Sequence, residues 1–372
     1  MIYAVISEFN PFHNGHRYLL SSLPKKDGDY TVCIMSGSFV QRGEPAAFDK
    51  WSRAAAAAEN GADLVVELPL PFALSDGDRF AAKGVEMAAS FGLPVTMAFG
   101  TECENLDGLS ALAAIDEQAL SAPLRAALEH GLSYGEARQR AYETLLPQES
   151  ALLRSPNNLL ALGYIRECLK RGIPYLGIRR TSPHDSAPQG SFASASYIRA
   201  HQEQMAQFCP ISQGPALDSR AAEIGILSLL KAKDPALFAG YANISEGLEN
   251  RIGAALTKAT GLQNLYELIK TKRYSMAKLR RAVMACALEL PRELPLQPPP
   301  YLHLLAIGPR GRALLREAKP LIPIAGSGKE CEQIAPDFFQ KERLATDLWN
   351  SWSKQPLPAG EEYRRGAARC FE

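Results

Sequence analysis

Tyr3-Ala4-Val5-Ile6-Ser7-Glu8-Phe9-Asn10-Pro11-Phe12-His13-Asn14-Gly15-His16 is the stretch on which the reading of this chain turns. Residues 3–7 form a strand-like apolar run, and helical periodicity sets in from Tyr18. What lies between is a βα junction. Asn10 and Pro11 are turn formers, and Gly15 leaves room for a ligand to approach the backbone where the helix begins. His-x-x-His spacing sets two imidazoles on one side of the first helical turn, beside amide N–H groups with no partner inside the helix. Such a turn is an anion site, and its place directly after the first strand is where open α/β sheets bind nucleotides. Histidines that merely cap a helix would show the same spacing. Zinc is disfavoured because no cysteine lies close in sequence.

Outward from that stretch, short apolar strands alternate with helical patterns. Strands are predicted over 30–35, 64–68, 95–99 and 175–178, with an alanine-rich helix near 50–59 stopped by Asn60-Gly61. Interleaving of this kind indicates βαβ units and a mostly parallel sheet, an α/β fold. The loop after the second strand holds Ser36, Gly37, Ser38, Gln41, Arg42 and Gly43, which offer hydroxyl, amide and guanidinium donors. Gly100 follows the strand at 95–99 and lets a ligand pass close to the backbone. Arg179 and Arg180 follow the strand at 175–178. After the polar loop around His184 and Asp185, Ser194-Ala195-Ser196-Tyr197-Ile198-Arg199 reads as a helix start whose serines cap and whose arginine makes a two-pronged phosphate contact. Asn157 and Asn158 follow Pro156; one can cap the helix over 159–169 while the other presents its amide.

At 372 residues the chain exceeds what one core usually serves, so two domains are expected. Net charge is +1, so any polyanion site must be a local patch. Apolar stretches are too short to span a membrane and no signal segment leads the chain, which points to the cytoplasm. Seven scattered cysteines without a Cys-x-x-Cys pair favour reduced thiols. Beyond residue 205 the pattern turns helical, over 221–231, 246–260 and 262–269. Lys270-Thr271-Lys272-Arg273-Tyr274-Ser275-Met276-Ala277-Lys278-Leu279-Arg280-Arg281 then carries six basic residues and no acidic one. On a nearly neutral chain this is a local polyanion footprint, with the Tyr274 ring as a stacking surface for a base. A proline-rich connector over 291–300 follows, then 301–317, where apolar positions alternate with Lys and Arg. A last helix carries Trp349 and Trp352.

The His13–His16 pair resembles the HxGH signature of the nucleotidyltransferase superfamily and the class I aminoacyl-tRNA synthetases, in which two histidines hold the ATP phosphates. Ser194–Arg199 is similar to the Ser-Ser-Thr-x-x-Arg helix start of the same enzymes. Glu8–His16, Met35–Ala46, Ser155-Pro156-Asn157-Asn158 and Lys270-Thr271-Lys272-Arg273-Tyr274 occur in that order. Together they resemble the bacterial tRNA(Met) cytidine acetate ligase family over essentially the whole chain.

That resemblance implies a Rossmann-like nucleotidyltransferase (HUP-type) domain over 1–204 and a mainly α-helical tRNA-binding region over 205–372. It implies a ligase that activates acetate with ATP as acetyl-adenylate, releases pyrophosphate, and acetylates the exocyclic amine of the wobble cytidine in elongator tRNA(Met). Mg2+ is expected with ATP, without a nameable protein ligand, and neither a membrane nor an obligate protein partner is expected. His13 and His16 would serve the transferring phosphate, with Ser194, Arg199 and Arg42 on the leaving pyrophosphate. ATP contacts carry over to Ser7, Glu8, Phe9, Asn10, Pro11, Phe12, His13, Asn14, Gly15, His16, Arg17, Tyr18, Leu19 and Leu20. They carry over also to Gly100, to Asn157, and to an arginine after the strand at 175–178: the loop here is shorter than the family's and has Pro183 where the family has tyrosine, which leaves Arg179, the preferred match, with Arg180 as its competitor. RNA contact is expected at Lys270, Lys272, Arg273, Tyr274, Lys278, Arg280 and Arg281. Two rival classes use part of the same pattern: a small-molecule nucleotidyltransferase, which needs no basic segment, and a non-catalytic RNA-binding protein, which leaves the phosphate cradles idle.

Overall fold

A computed structural model of the chain describes all residues except 104, 181–187, 212–213, 246 and 372. The expected His184 and Asp185 therefore lie outside the described residues. The strands are β1 (Ile2–Ser7), β2 (Tyr30–Ser36), the short β3 (Phe39–Val40) and β4 (Glu44–Pro45), β5 (Leu64–Leu68), β6 (Val95–Thr101), β7 (Tyr175–Arg179), β8 (Leu302–Ile307), β9 (Ile324–Ala325) and β10 (Ala368–Arg369). Among the described residues, eight of them form one sheet in the order β10-β8-β5-β2-β1-β6-β7, with β9 on β8; β3 and β4 form a separate hairpin. All pairs from β5 to β7 are parallel.

Alternation along β1 decides its two faces. Ile2, Ala4 and Ile6 join a core that includes Phe80 and Ile165, while Tyr3 and Val5 join another with Leu20, Trp51 and Ala57. Helices α1 (Asn14–Ser21) and α2 (Lys50–Glu59) cover the second face. The Gly77–Ala89 and Pro156–Arg171 helices cover the first. From β1 the chain winds first toward β2 and β5, then returns to place β6 and β7 on the other side. This reversal opens a crevice. Whereas β1 stays paired with β2 through Ser7↔Met35, its pairing with β6 ends at Ala4↔Met97, so the carboxyl ends of β1 and β6 splay apart.

The C-terminal region is mainly helical, with Ser219–Lys231, Leu248–Leu256, Leu262–Ile269 and Met276–Ala287. It also supplies strands, which the sequence reading did not foresee. Residues 302–307 are β8, antiparallel to β5, followed by a helix over Gly311–Glu317; β9 and β10 run parallel to β8. Leu302-His303-Leu304-Leu305-Ala306 is buried on both faces, so it has no alternation to read. Sheet and core thus run across the expected division after residue 204.

A buried ion cluster fastens the returning chain. Lys50 Nζ donates to both carboxylate oxygens of Glu67 at 2.7 Å and to Glu362. His303 Nδ1 lies 2.8 Å from Glu67 Oε2, and Glu342 accepts from the Leu70 amide. Burial opposes the charge on Lys50, but Glu362 and Glu67 outweigh it and hold Lys50 firmly protonated. Lys50 in turn, with His303, holds the Glu67 carboxyl well below the usual carboxylate range against its burial. Glu67, His303 and Glu362 are grouped closely enough to suggest a metal site, but the Lys50 ammonium already bridges both carboxylates.

Candidate functional site

Where β1 and β6 splay, the structure has a cavity of about 230 Å³. Ser7 ends β1 on its wall, with its hydroxyl buried and unpartnered among the described residues. Phe9 then takes a left-handed backbone (φ 44°), and the Asn10–Pro11 peptide is cis. The Phe9 and Phe12 rings meet edge to face at 5.0 Å in the core beneath α1. Of the stretch 7–20, Ser7, Glu8, Phe9, Asn10, His13, Gly15, His16, Tyr18 and Leu19 reach the cavity. Pro11, Phe12, Asn14, Arg17 and Leu20 do not line it. Leu20 is core, and Asn14 Nδ2 donates to the Ser191 carbonyl at 2.8 Å, tying the motif to the later serine-rich segment.

The histidines are arranged differently from the simple picture of free amides at a helix start. His13 is the N-cap of α1, and its Nδ1 accepts from the Gly15 amide at 3.0 Å. His16 Nδ1 accepts from the His13 amide at 3.3 Å. Those amides are therefore spent on the imidazoles, a reciprocal capping arrangement. With both Nδ1 atoms accepting, each ring carries its proton on Nε2. The rings stack with centroids 3.8 Å apart. Burial, then Arg180 and Arg199, holds His13 at about 3; burial, then His13 and Arg180, holds His16 well below its ordinary value. The result is a pair of neutral, fixed N–H donors. Gly15 serves the ring of His13 rather than a ligand: a Cβ there would lie 2.8 Å from His13 Cε1.

Cations and hydroxyls ring this pair. Ser194 caps the Ala195–Ala200 helix, its Oγ accepting from the Tyr197 amide at 3.1 Å, as the serine-rich start predicts. Arg199 Nη1 donates to the Asn10 carbonyl at 2.7 Å, so the loop after β1 and the helix that starts at Ser194 are tied together. Arg179 and Arg180 both line the cavity, but they differ. Arg179 is exposed at the end of β7, whereas Arg180 packs over Gly100, its charge acts on both histidines, and its Nε is buried without a partner among the described residues. Of the two, Arg180 is the one whose charge acts on both histidines.

The two asparagines also separate. The N-cap of the Pro156–Arg171 helix is Ser155, so neither asparagine caps it. Asn158 is buried, accepting from the Glu102 amide at 3.2 Å and donating to the Leu152 carbonyl at 2.9 Å. Asn157 lines the cavity, its amide on Glu102 Oε1 at 2.8 Å. Sequence reading missed the apolar wall of Phe80, Phe99, Leu160 and Tyr164, which carries no motif. It missed also the fully buried Arg53, whose signal was available as an arginine leading directly into the alanine run of α2.

On the C-terminal side, Lys270, Lys272 and Arg273 are exposed, and the charges of Lys272 and Lys270 act on Glu136 of the Tyr134–Leu145 helix. Tyr274 is not a stacking platform. Its ring is buried and its hydroxyl donates to the Ser245 carbonyl at 3.2 Å, because it closes the neighbouring loop onto the helix start. Lys278 Nζ donates to Ser245 Oγ at 3.0 Å. Arg280 pairs with Glu44, and the largely buried Arg281 donates to the Gln41 carbonyl at 3.3 Å. These last contacts bring the basic helix against the hairpin whose Gln41 and Arg42 line the cavity.

Comparison with known proteins agrees with this geometry. Residues 1–362 match the model of the HIGH Nucleotidyl Transferase family. A protein of Thermoanaerobacter sp. named tRNA(Met) cytidine acetate ligase is 32% identical over 97% of this chain and 98% of its own length. One of the same name from Streptococcus equi subsp. zooepidemicus is 36% identical over 96% and 98%. The crystal structure of Thermotoga maritima TmcAL bound with alpha-thio ATP superposes with a TM-score of 0.87 at 27% identity over 99% of both chains, and its apo form with 0.89. Carried by the paired histidines at the end of β1 and by similarity that runs the length of the chain, the conclusion is that it belongs to the HIGH nucleotidyl transferases and, among them, to the tRNA(Met) cytidine acetate ligase family.

Proposed function

We propose that this chain activates acetate with ATP and transfers the acetyl group to N4 of the wobble cytidine of elongator tRNA(Met). An acetate oxygen attacks the α-phosphorus, the bond to the β-phosphate oxygen breaks, and pyrophosphate leaves. The cytidine amine then attacks the acetyl carbonyl carbon, the carbon–oxygen bond to AMP breaks, and the amine loses a proton. Charge grows on the α-phosphate oxygens in the first step, so fixed donors aimed there lower the barrier. The observation that carries this reading is the stacked pair of neutral imidazoles with Nδ1 occupied and Nε2–H left for the phosphate.

Around that pair, Arg180, Arg199 and the Ser194 and Ser196 hydroxyls would take the departing pyrophosphate, and Asn157 and Gly100 the nucleoside. Among the described residues of the cavity wall the one carboxylate is Glu8, surrounded by the charges of Arg42, Arg199 and Arg53. That donor set fits a Mg2+ ion carried chiefly by the nucleotide's own phosphates. Lys270, Lys272 and Arg273 supply the exposed charge for the tRNA backbone, and tRNA(Met) and acetate are the substrates that the relatives' name specifies.

The test is ATP–pyrophosphate exchange that depends on acetate, followed by transfer of labelled acetyl to tRNA(Met). His16→Ala should lower exchange about 100-fold or more, the usual cost of losing a charge-stabilising donor. A wild-type chain that exchanges without acetate, or not at all, would refute the ligase reading.

A further inference from the structure

Arg53 has no part in the motifs and does not line the cavity, yet it is fully buried at the point where both site loops leave the sheet. The β1–β2 ladder ends at Ser7↔Met35. One residue further on, where the next rung would be, Arg53 Nη1 donates to the carbonyls of Glu8 at 2.6 Å and Ser36 at 3.1 Å. Its Nη2 donates to the Gly37 carbonyl and its Nε to that of Phe48 at 3.0 Å. A planar fork of donors from α2 thus continues the sheet as the two strands part.

We propose that Arg53 is the positioning residue of the histidine loop: it fixes the Glu8 carbonyl, and through it the left-handed turn at Phe9 that aims His13 and His16. Glu8 is pinned at both ends, since its side chain accepts from the Gln41 amide at 2.8 Å. The motif loop and the Gln41–Arg42 loop are thereby held to each other across the mouth of the cavity. Lysine cannot replace this fork, because one ammonium does not reach carbonyls spread over three segments in one plane.

Arg53→Lys should therefore fold, with an unchanged circular dichroism spectrum and a cooperative melt. The ATP-binding groups away from the loop remain, so KM for ATP should move by less than about threefold while kcat for exchange falls about 100-fold, the cost of a misplacement on the order of 1 Å. Hydrogen exchange should quicken in residues 8–16 and 36–41 and stay slow in β5. If Arg53→Lys does not fold, Arg53→Ala with added guanidinium should regain kcat, and ethylammonium should not restore it. Exchange within about threefold of wild type, equal losses in kcat and KM, or loosening spread over the whole sheet would overturn the assignment. So would a chain that folds with neither substitution, which would make Arg53 a folding determinant. The kinetic arm rests on the ligase reading. Wild type lacking acetate-dependent exchange would defeat that reading, while the hydrogen-exchange arm would still decide the clamp.

Discussion

Gly15 carries no side chain because the ring of His13 needs the space, and His13 needs the Gly15 amide to hold its proton on Nε2. At this scale the site is a set of mutual dependencies. Both histidines are kept neutral mainly by burial, and this has a consequence for pH. The unfolded chain takes up protons at these imidazoles near 6.5, whereas folded His13 does so only at about 3. The unfolded state therefore binds more protons below pH 6.5, and folding loses stability as pH falls from there toward 3, by about 2 kcal/mol for His13 at pH 5, with His16 adding a loss of the same sign. Chemical denaturation between pH 7.5 and 5 should show this fall, and His13→Asn should make it shallower. The two asparagines give a second contrast. Asn158→Ala removes the acceptor of the Glu102 amide and the donor to the Leu152 carbonyl and should destabilise by about 1–3 kcal/mol. Asn157→Ala should raise KM for ATP and leave the denaturation midpoint nearly unmoved.

Among the elements, the β3–β4 hairpin links the two halves of the proposed reaction. Gly43 sits at its turn with φ 78°, and a Cβ there would lie 2.4 Å from the Arg281 amide nitrogen. The hairpin consequently lies flush on the Met276–Ala287 helix, with the Arg280–Glu44 pair beside it. Gly43→Ala combines a disfavoured backbone with a clash against main chain and should cost on the order of 1–3 kcal/mol, measured by urea denaturation. It should also weaken tRNA binding, because the basic helix and the Arg42 loop would no longer hold their relative positions. A retained midpoint and affinity would show that the contact is incidental.

For the molecule as a whole, the C-terminal chain is held by burial of charge as well as by the sheet. Lys50→Met would strand Glu67 and Glu362 in the core and should destabilise by about 3–5 kcal/mol in denaturant titration, far more than loss of an exposed pair. Association with tRNA is a long-range property of the surface. Replacing both Lys272 and Arg273 by alanine should weaken binding at low salt and reduce the slope of log K against log salt by about 2, without changing acetate-dependent exchange measured in the absence of RNA. No helix among the described residues is long and apolar enough to cross a membrane.

The parallel sheet, the βα junction after β1 and the helix start at Ser194 were legible in the chain because each rests on local chemistry: strand periodicity, turn residues, a cap. The expected helices over 50–59 and 262–269 coincide with Lys50–Glu59 and Leu262–Ile269 for the same reason. Four assignments needed the third dimension. Strand β8 is buried on both faces and shows no period; Tyr274 is covered by a loop distant in sequence; Arg180 rather than Arg179 turns over Gly100 toward the histidines; and Arg53 acts on carbonyls from three separate segments. Spacing along a chain records what a residue can do with its neighbours, whereas burial and the aim of a side chain are set by segments that only folding brings together.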